Sequence, residues 1–130
     1  MYSEEILERF ESPRNAGNLR GANARGDAGS IEQGDVVRLF FRVENNIIEE
    51  AKFKAFGCVV ATVAMDILCD MLVGKTLDNA STIKSGDVAR LMGESVGHKA
   101  VCLALAVEAV HATIKDYKKR QARLGSQNRR

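Results

Sequence analysis

Phe56-Gly57-Cys58-Val59-Val60-Ala61 is the stretch on which the fold turns. Before it, residues 47–56 alternate apolar and polar side chains, the period of a strand with one face packed. After it, residues 59–73 carry apolar side chains at helical spacing, the period of a buried helix. Gly57 lies at the junction, where a residue without Cβ can take a backbone conformation closed to others. Cys58 is therefore expected at the start of a helix. There its thiol faces unpaired N–H groups and the positive end of the helix dipole, a setting that favours the thiolate. Thiolate is the form that binds metal or attacks sulfur.

Working back from this junction, residues 35–43 (Asp-Val-Val-Arg-Leu-Phe-Phe-Arg-Val) read as a second strand. Val37, Leu39, Phe41 and Val43 share one face; Val36, Arg38, Phe40 and Arg42 share the other. Glu44-Asn45-Asn46 forms the turn, since Asn tolerates positive φ. In the partner strand, Ile47, Glu49, Ala51, Phe53 and Ala55 are placed on the packed face, with Glu50, Lys52 and Lys54 opposite. Antiparallel pairing brings the start of the first strand beside the end of the second, so Asp35 and Cys58 meet at one end of the hairpin. Residues 21–29 are rich in glycine and polar residues without clear periodicity. They fit either a loop or a short edge strand near 28–32.

Further out, Ser3 caps a short helix over residues 3–11. Its apolar stripe is Ile6, Leu7 and Phe10, and Pro13 ends it. Gly74 closes the helix that begins at Cys58. Cys69 falls inside that helix and reads as core. Thr76 and Ser85 open two short helices, and residues 93–97 form a loop. The longest pattern spans 99–119, with Leu103, Val107, Val110, Ile114 and Tyr117 on one stripe. Cys102 lies in its first turn and repeats the setting of Cys58. His111, within the stripe, is given no role.

The 130 residues suffice for one domain with one core. Residues 1–120 are assigned to it, and 121–130 to a basic tail expected to be disordered. Of 19 Lys and Arg, seven fall in residues 115–130. They lack interleaved aromatics, which argues against nucleic-acid binding. The longest apolar run is far short of the roughly 18 residues a membrane span needs, and the acidic start is unlike a signal peptide. A cytoplasmic protein is expected. Three dispersed cysteines do not form a disulfide framework and contain no CxxC pair, so the thiols remain available for metal or sulfur chemistry. Two cysteines at helix starts beside a strand-start carboxylate, namely Cys58, Cys102 and Asp35, make a candidate metal constellation.

The order of residues resembles the IscU/NifU-type iron–sulfur cluster scaffold family. The resemblance is carried by Tyr2-Ser3-Glu4-Glu5, Ser12-Pro13-Arg14-Asn15-Ala16-Gly17, Gly34-Asp35-Val36, Ile48 through Cys58, Gly74 through Ala80, Cys102 with Ala109, and Asp116-Tyr117. It implies an α+β fold: a small, mostly antiparallel three-stranded sheet with helices packed on one face and a long C-terminal helix. It also implies a scaffold, not an enzyme, on which a [2Fe–2S] cluster is assembled from iron and from sulfur supplied by a cysteine desulfurase. Chaperones or acceptor proteins then take the cluster, and the scaffold is a monomer or weak homodimer.

Matched residue by residue, Asp35, Cys58 and Cys102 are the implied ligands, Cys102 the persulfide acceptor and Lys99 the cation beside it. Two positions depart: Gln33 stands where the family has its first cysteine, and Val101 where the IscU branch has a histidine. His98 is the nearby side chain able to supply another ligand. Three readings remain open on the sequence. The first is a scaffold holding iron or a cluster, the second an adaptor without stable cluster binding, and the third a zinc site at the same residues.

Overall fold

A computed structural model describes residues 3–93 and 100–128. Strands β1 (Ala24–Ser30), β2 (Asp35–Glu44) and β3 (Ile47–Phe56) form one antiparallel sheet in the order β1-β2-β3. The helices are α1 (Glu4–Glu11), α2 (Val59–Leu72), α3 (Leu77–Ser81), α4 (Ser85–Met92) and α5 (Ala100–Asn128). The fold is α+β, as the resemblance implies.

The β2–β3 hairpin turns on Asn45 and Asn46, at φ +52° and +62°. These are the two left-handed residues that a tight two-residue hairpin loop demands. Val37, Leu39 and Phe41 from β2 and Ala51 and Phe53 from β3 are buried on one face. The far end differs from the simple alternation. Arg42 pairs with Glu50 but Val43 with Ile48, so β3 holds one extra residue at a bulge. The bulge flips the parity. Ile48 is buried in place of Ile47 and Glu49, the two residues that the uninterrupted pattern puts inside.

β1 is longer than the short edge strand considered from the sequence. Its inward residues are Ala24, Gly26 and Ala28, alternating with exposed Arg25, Asp27 and Gly29. These small side chains let α5 lie directly on the strand. A Cβ on Gly26 would overlap the backbone and side chain of Thr113. Asp116 of α5 accepts the Arg25 N–H at 2.8 Å, and Asn23 exchanges two 2.8 Å hydrogen bonds with the backbone of Val43.

α2 is the central helix. Ten of its residues are buried, on all sides, because the sheet, α5, α1 and α4 surround it. Among them is Asp66, which accepts from Arg9 Nε at 2.7 Å and the Asn15 N–H at 2.8 Å. Arg9 also reaches Asp70. Burial pushes the Asp70 carboxyl up, but hydrogen bonds from Asn15 and Arg9 outweigh it and hold it below its ordinary value. This network locks α1 and the Pro13-Arg14-Asn15 segment onto α2. In α1 only Ile6 is buried; Leu7 and Phe10 of the expected apolar stripe are exposed.

α5 differs from expectation at its end. It runs through residues 121–128, which the sequence reading assigns to a disordered tail. Gln121, Ala122, Arg123 and Leu124 are good helix formers, and helix already propagating from the packed segment extends at little cost.

Candidate metal centre

Three elements converge at one end of the sheet. β2 opens with Asp35, the β3–α2 junction presents Cys58, and the first turn of α5 presents Cys102. One ligand atom from each lies within 4.8 Å of the others. The two sulfurs are 3.3 Å apart, and Cys102 Sγ is 3.8 Å from Asp35 Oδ2. Cys102 is buried, while Asp35 and Cys58 are partly exposed.

Local backbone chemistry holds this arrangement. Cys58 is the N-cap of α2, and its Sγ accepts the Ala61 N–H at 3.5 Å. Asp35 Oδ1 accepts the Cys58 N–H at 2.8 Å, leaving Oδ2 toward Cys102. Two glycines make room for the aspartate. Gly57 sits at φ +149°, and a Cβ there would overlap Asp35 Oδ1. Gly29 sits at φ +85°, and a Cβ there would overlap the Asp35 carbonyl. Gly57 is legible from the sequence; Gly29 is not, because its constraint comes from the neighbouring strand.

The donor set suits a thiophilic metal. Two thiolates on one tetrahedral ion, with bonds of about 2.3 Å, stand about 3.8 Å apart. The sulfurs at 3.3 Å need only a small outward shift to reach that spacing. A disulfide bond, at about 2.05 Å, needs a larger inward one. A carboxylate oxygen on the same side completes three ligands and leaves a position open for an incoming group.

The expected ligands Asp35, Cys58 and Cys102 are thus brought together. His98 and Lys99 lie outside the described residues. Cys69 is fully buried in α2, and burial pushes its thiol well above its ordinary value, in keeping with a core role. His111 Nε2 lies 3.1 Å from the Ser81 carbonyl, away from the site. Ile31, which carries no signal in the sequence, is with Phe56 and Val101 one of the apolar side chains most exposed at this end of the sheet.

A three-stranded antiparallel sheet backed by helices, with an Asp-Cys-Cys cluster at its end, defines an α+β protein with a candidate metal centre. The chain belongs to the family described as NifU-like N terminal domain, whose model matches residues 1–124. It is 37% identical over 124 residues to the nitrogen fixation protein NifU of Azotobacter chroococcum, covering 94% of this chain but 40% of that one. It is also 37% identical over 127 residues to the iron–sulfur cluster assembly scaffold protein IscU of Escherichia coli, covering 94% and 98%. The fold is shared with a NifU-like N-terminal protein from Brucella abortus, at a TM-score of 0.70 and 16% identity over 90% of this chain and 94% of that one. No helix among the described residues is long and apolar enough to cross a membrane.

Proposed function

We propose that this chain is a scaffold for iron–sulfur cluster assembly, binding iron and then a [2Fe–2S] cluster as cargo at Asp35, Cys58 and Cys102. The observation that carries the reading is the convergence of those three donors within 4.8 Å at one end of the sheet. Naming of its relatives as cluster scaffolds supports it.

Sulfur arrives from a cysteine desulfurase as a persulfide. The Cys102 thiolate attacks the outer sulfur, a new S–S bond forms at Cys102, and the desulfurase cysteine leaves as thiolate. Lys99, three residues before Cys102 in the sequence, is the cation that the family match assigns to lowering the thiol's pKa. Asp35 has two tasks: through Oδ1 it fixes the backbone of Cys58, and through Oδ2 it offers an oxygen ligand. Two electrons from an external reductant cleave each Cys102 persulfide and release its outer sulfur as cluster sulfide; the cluster is then handed to acceptor proteins or a chaperone, and no small-molecule substrate is turned over. Zinc, which accepts the same donors, occupies the site when iron is absent.

The test is anaerobic reconstitution with ferrous iron and sulfide. Visible-region absorption with bound iron and acid-labile sulfide is expected, and both are lost in Cys58→Ala and Cys102→Ala. Incubation with a cysteine desulfurase and cysteine adds one sulfur atom to the wild-type mass and none to Cys102→Ala. Wild-type protein that takes up neither iron nor sulfide sinks the scaffold reading and leaves an adaptor.

A further inference from the structure

Away from the metal centre, two surfaces of the chain carry opposite charge at matching intervals. The first is a groove of about 530 Å³ where the end of α3 meets the later turns of α5. Lys115, Lys118 and Lys119 line it together with the apolar Ile114 and Ala122. The lysine stems add apolar surface while their ammonium groups stay in water. Among the described residues, no carboxylate lines the groove.

The second surface is the outward face of α1. Glu4, Glu8 and Glu11 are exposed and recur at i, i+4 and i+7, a single line down the helix. Leu7 and Phe10 stand beside that line, 42% and 37% exposed. Arg9, the one cation of α1, is taken up by Asp66 and Asp70 and does not neutralise the glutamates. No ion pair among the described residues engages Glu4, Glu8, Glu11 or the three lysines of the groove.

We infer that this groove receives α1 of a second copy of the chain, Glu4, Glu8 and Glu11 meeting Lys115, Lys118 and Lys119 while Leu7 and Phe10 enter the apolar part. Both sets of charges follow the helical repeat, so two helices laid side by side align them turn by turn. The occupant is another copy because each chain's own α1 is held on α2 by Arg9 and the adjoining Asn15. A nucleic acid would engage the lysines but leave the acidic and apolar face of α1 without a partner. Cys102 lies roughly 20 Å before Lys115 along α5, at about 1.5 Å per residue. Association is therefore independent of metal and of the cluster-binding reading. Both faces are exposed to water, so salt screens their attraction.

Sedimentation velocity on the full chain, with a chelator present, tests this. The wild-type sedimentation coefficient is expected to rise with protein concentration at about 0.05 M sodium chloride, and the association constant to fall about tenfold or more at about 0.5 M. Charge reversal separates the contact from general charge effects. One chain carries Lys115→Glu, Lys118→Glu and Lys119→Glu; another carries Glu4→Lys, Glu8→Lys and Glu11→Lys. Each is monomeric alone, with wild-type circular dichroism, and an equimolar mixture of the two associates again because every α1 then meets a groove of opposite charge. Leu7→Ser with Phe10→Ser, which leaves all charges in place, weakens association about tenfold or more. Wild type that stays monomeric at low salt overturns the inference, as do folded reversed chains that associate alone or fail to pair when mixed. Wild type that binds duplex DNA without associating with itself gives the basic face to nucleic acid and overturns it too. None of these outcomes bears on iron or sulfide uptake.

Discussion

Asp35 and Gly57 act as a matched pair. The carboxylate oxygen that accepts the Cys58 N–H occupies the space a Cβ on residue 57 would need. Gly57→Ala therefore displaces the aspartate as well as straining a backbone at φ +149°. The backbone strain alone costs about 1–3 kcal/mol, and a disturbed supporting contact lowers metal affinity by about 10- to 100-fold. Thermal melts together with cobalt or zinc titration check both; a variant that binds metal as tightly as wild type shows that Asp35 has other room. The sulfur pair carries a second expectation. With 3.3 Å between Sγ atoms, a mild two-electron oxidant such as diamide joins Cys58 to Cys102, removing both thiol hydrogens, while Cys69 stays reduced in the core. Peptide mapping without reductant identifies the bond, and bound zinc prevents it. A Cys69-containing disulfide is the contrary result. These residues were legible in the sequence because antiparallel pairing alone places Asp35 beside Cys58. Gly29 was not, since its need for an absent Cβ arises from the Asp35 carbonyl of the adjacent strand.

At the scale of elements, the decisive contact is β1 against α5. β1 escapes easy reading because Ala24, Gly26 and Ala28 have low strand preference and little hydrophobicity. Its pattern survives only as small residues alternating with Arg25 and Asp27. The small residues are what permit α5 to approach, so the strand is defined by its partner helix, not by local propensity. Gly26→Val pushes its side chain into Thr113 and the α5 backbone and costs at least about 1–3 kcal/mol, the usual cost of overpacking. Urea unfolding checks this; a change under 0.5 kcal/mol would mean that α5 shifts freely on the sheet. The β3 bulge was hidden for a related reason. Ile47-Ile48 offers two apolar residues in a row, and either can point inward until the hairpin register selects Ile48. The helical course of residues 121–128 likewise follows from a packed helix upstream and is absent from local charge content.

For the whole molecule, the N-terminal segment through Asn15 is attached to the rest by polar contacts to α2 as much as by hydrophobic ones. Ile6 is the one buried residue of α1, and the Arg9–Asp66–Asn15–Asp70 network supplies the remaining grip. The Ser-Pro-Arg-Asn segment was legible as a family signature, but its partner Asp66, eight residues into α2, was not, because a lone Asp in an apolar helix carries no label of what it pairs with. This construction has a consequence for acid stability. Asp70 is held below its ordinary value by Asn15 and Arg9, which outweigh its partial desolvation, and Asp27 by its hydrogen bonds with Arg38, 2.7 and 2.9 Å long, across β1 and β2. A carboxylate lowered in the folded state contributes stability above its unfolded value of about 3.9 and loses it as pH falls through the lower folded value. Both side chains are substantially solvent-exposed, so each contributes about 0.2–1 kcal/mol. Asp70→Asn and Asp27→Asn are accordingly less stable than wild type at pH 7, by that amount each. The melting-temperature gap between wild type and each variant narrows below about pH 4 as the wild-type carboxylates take up protons. Calorimetric scans from pH 7 to pH 3 measure this gap, and a gap that stays constant over the whole range excludes these two carboxylates as contributors to the acid limb.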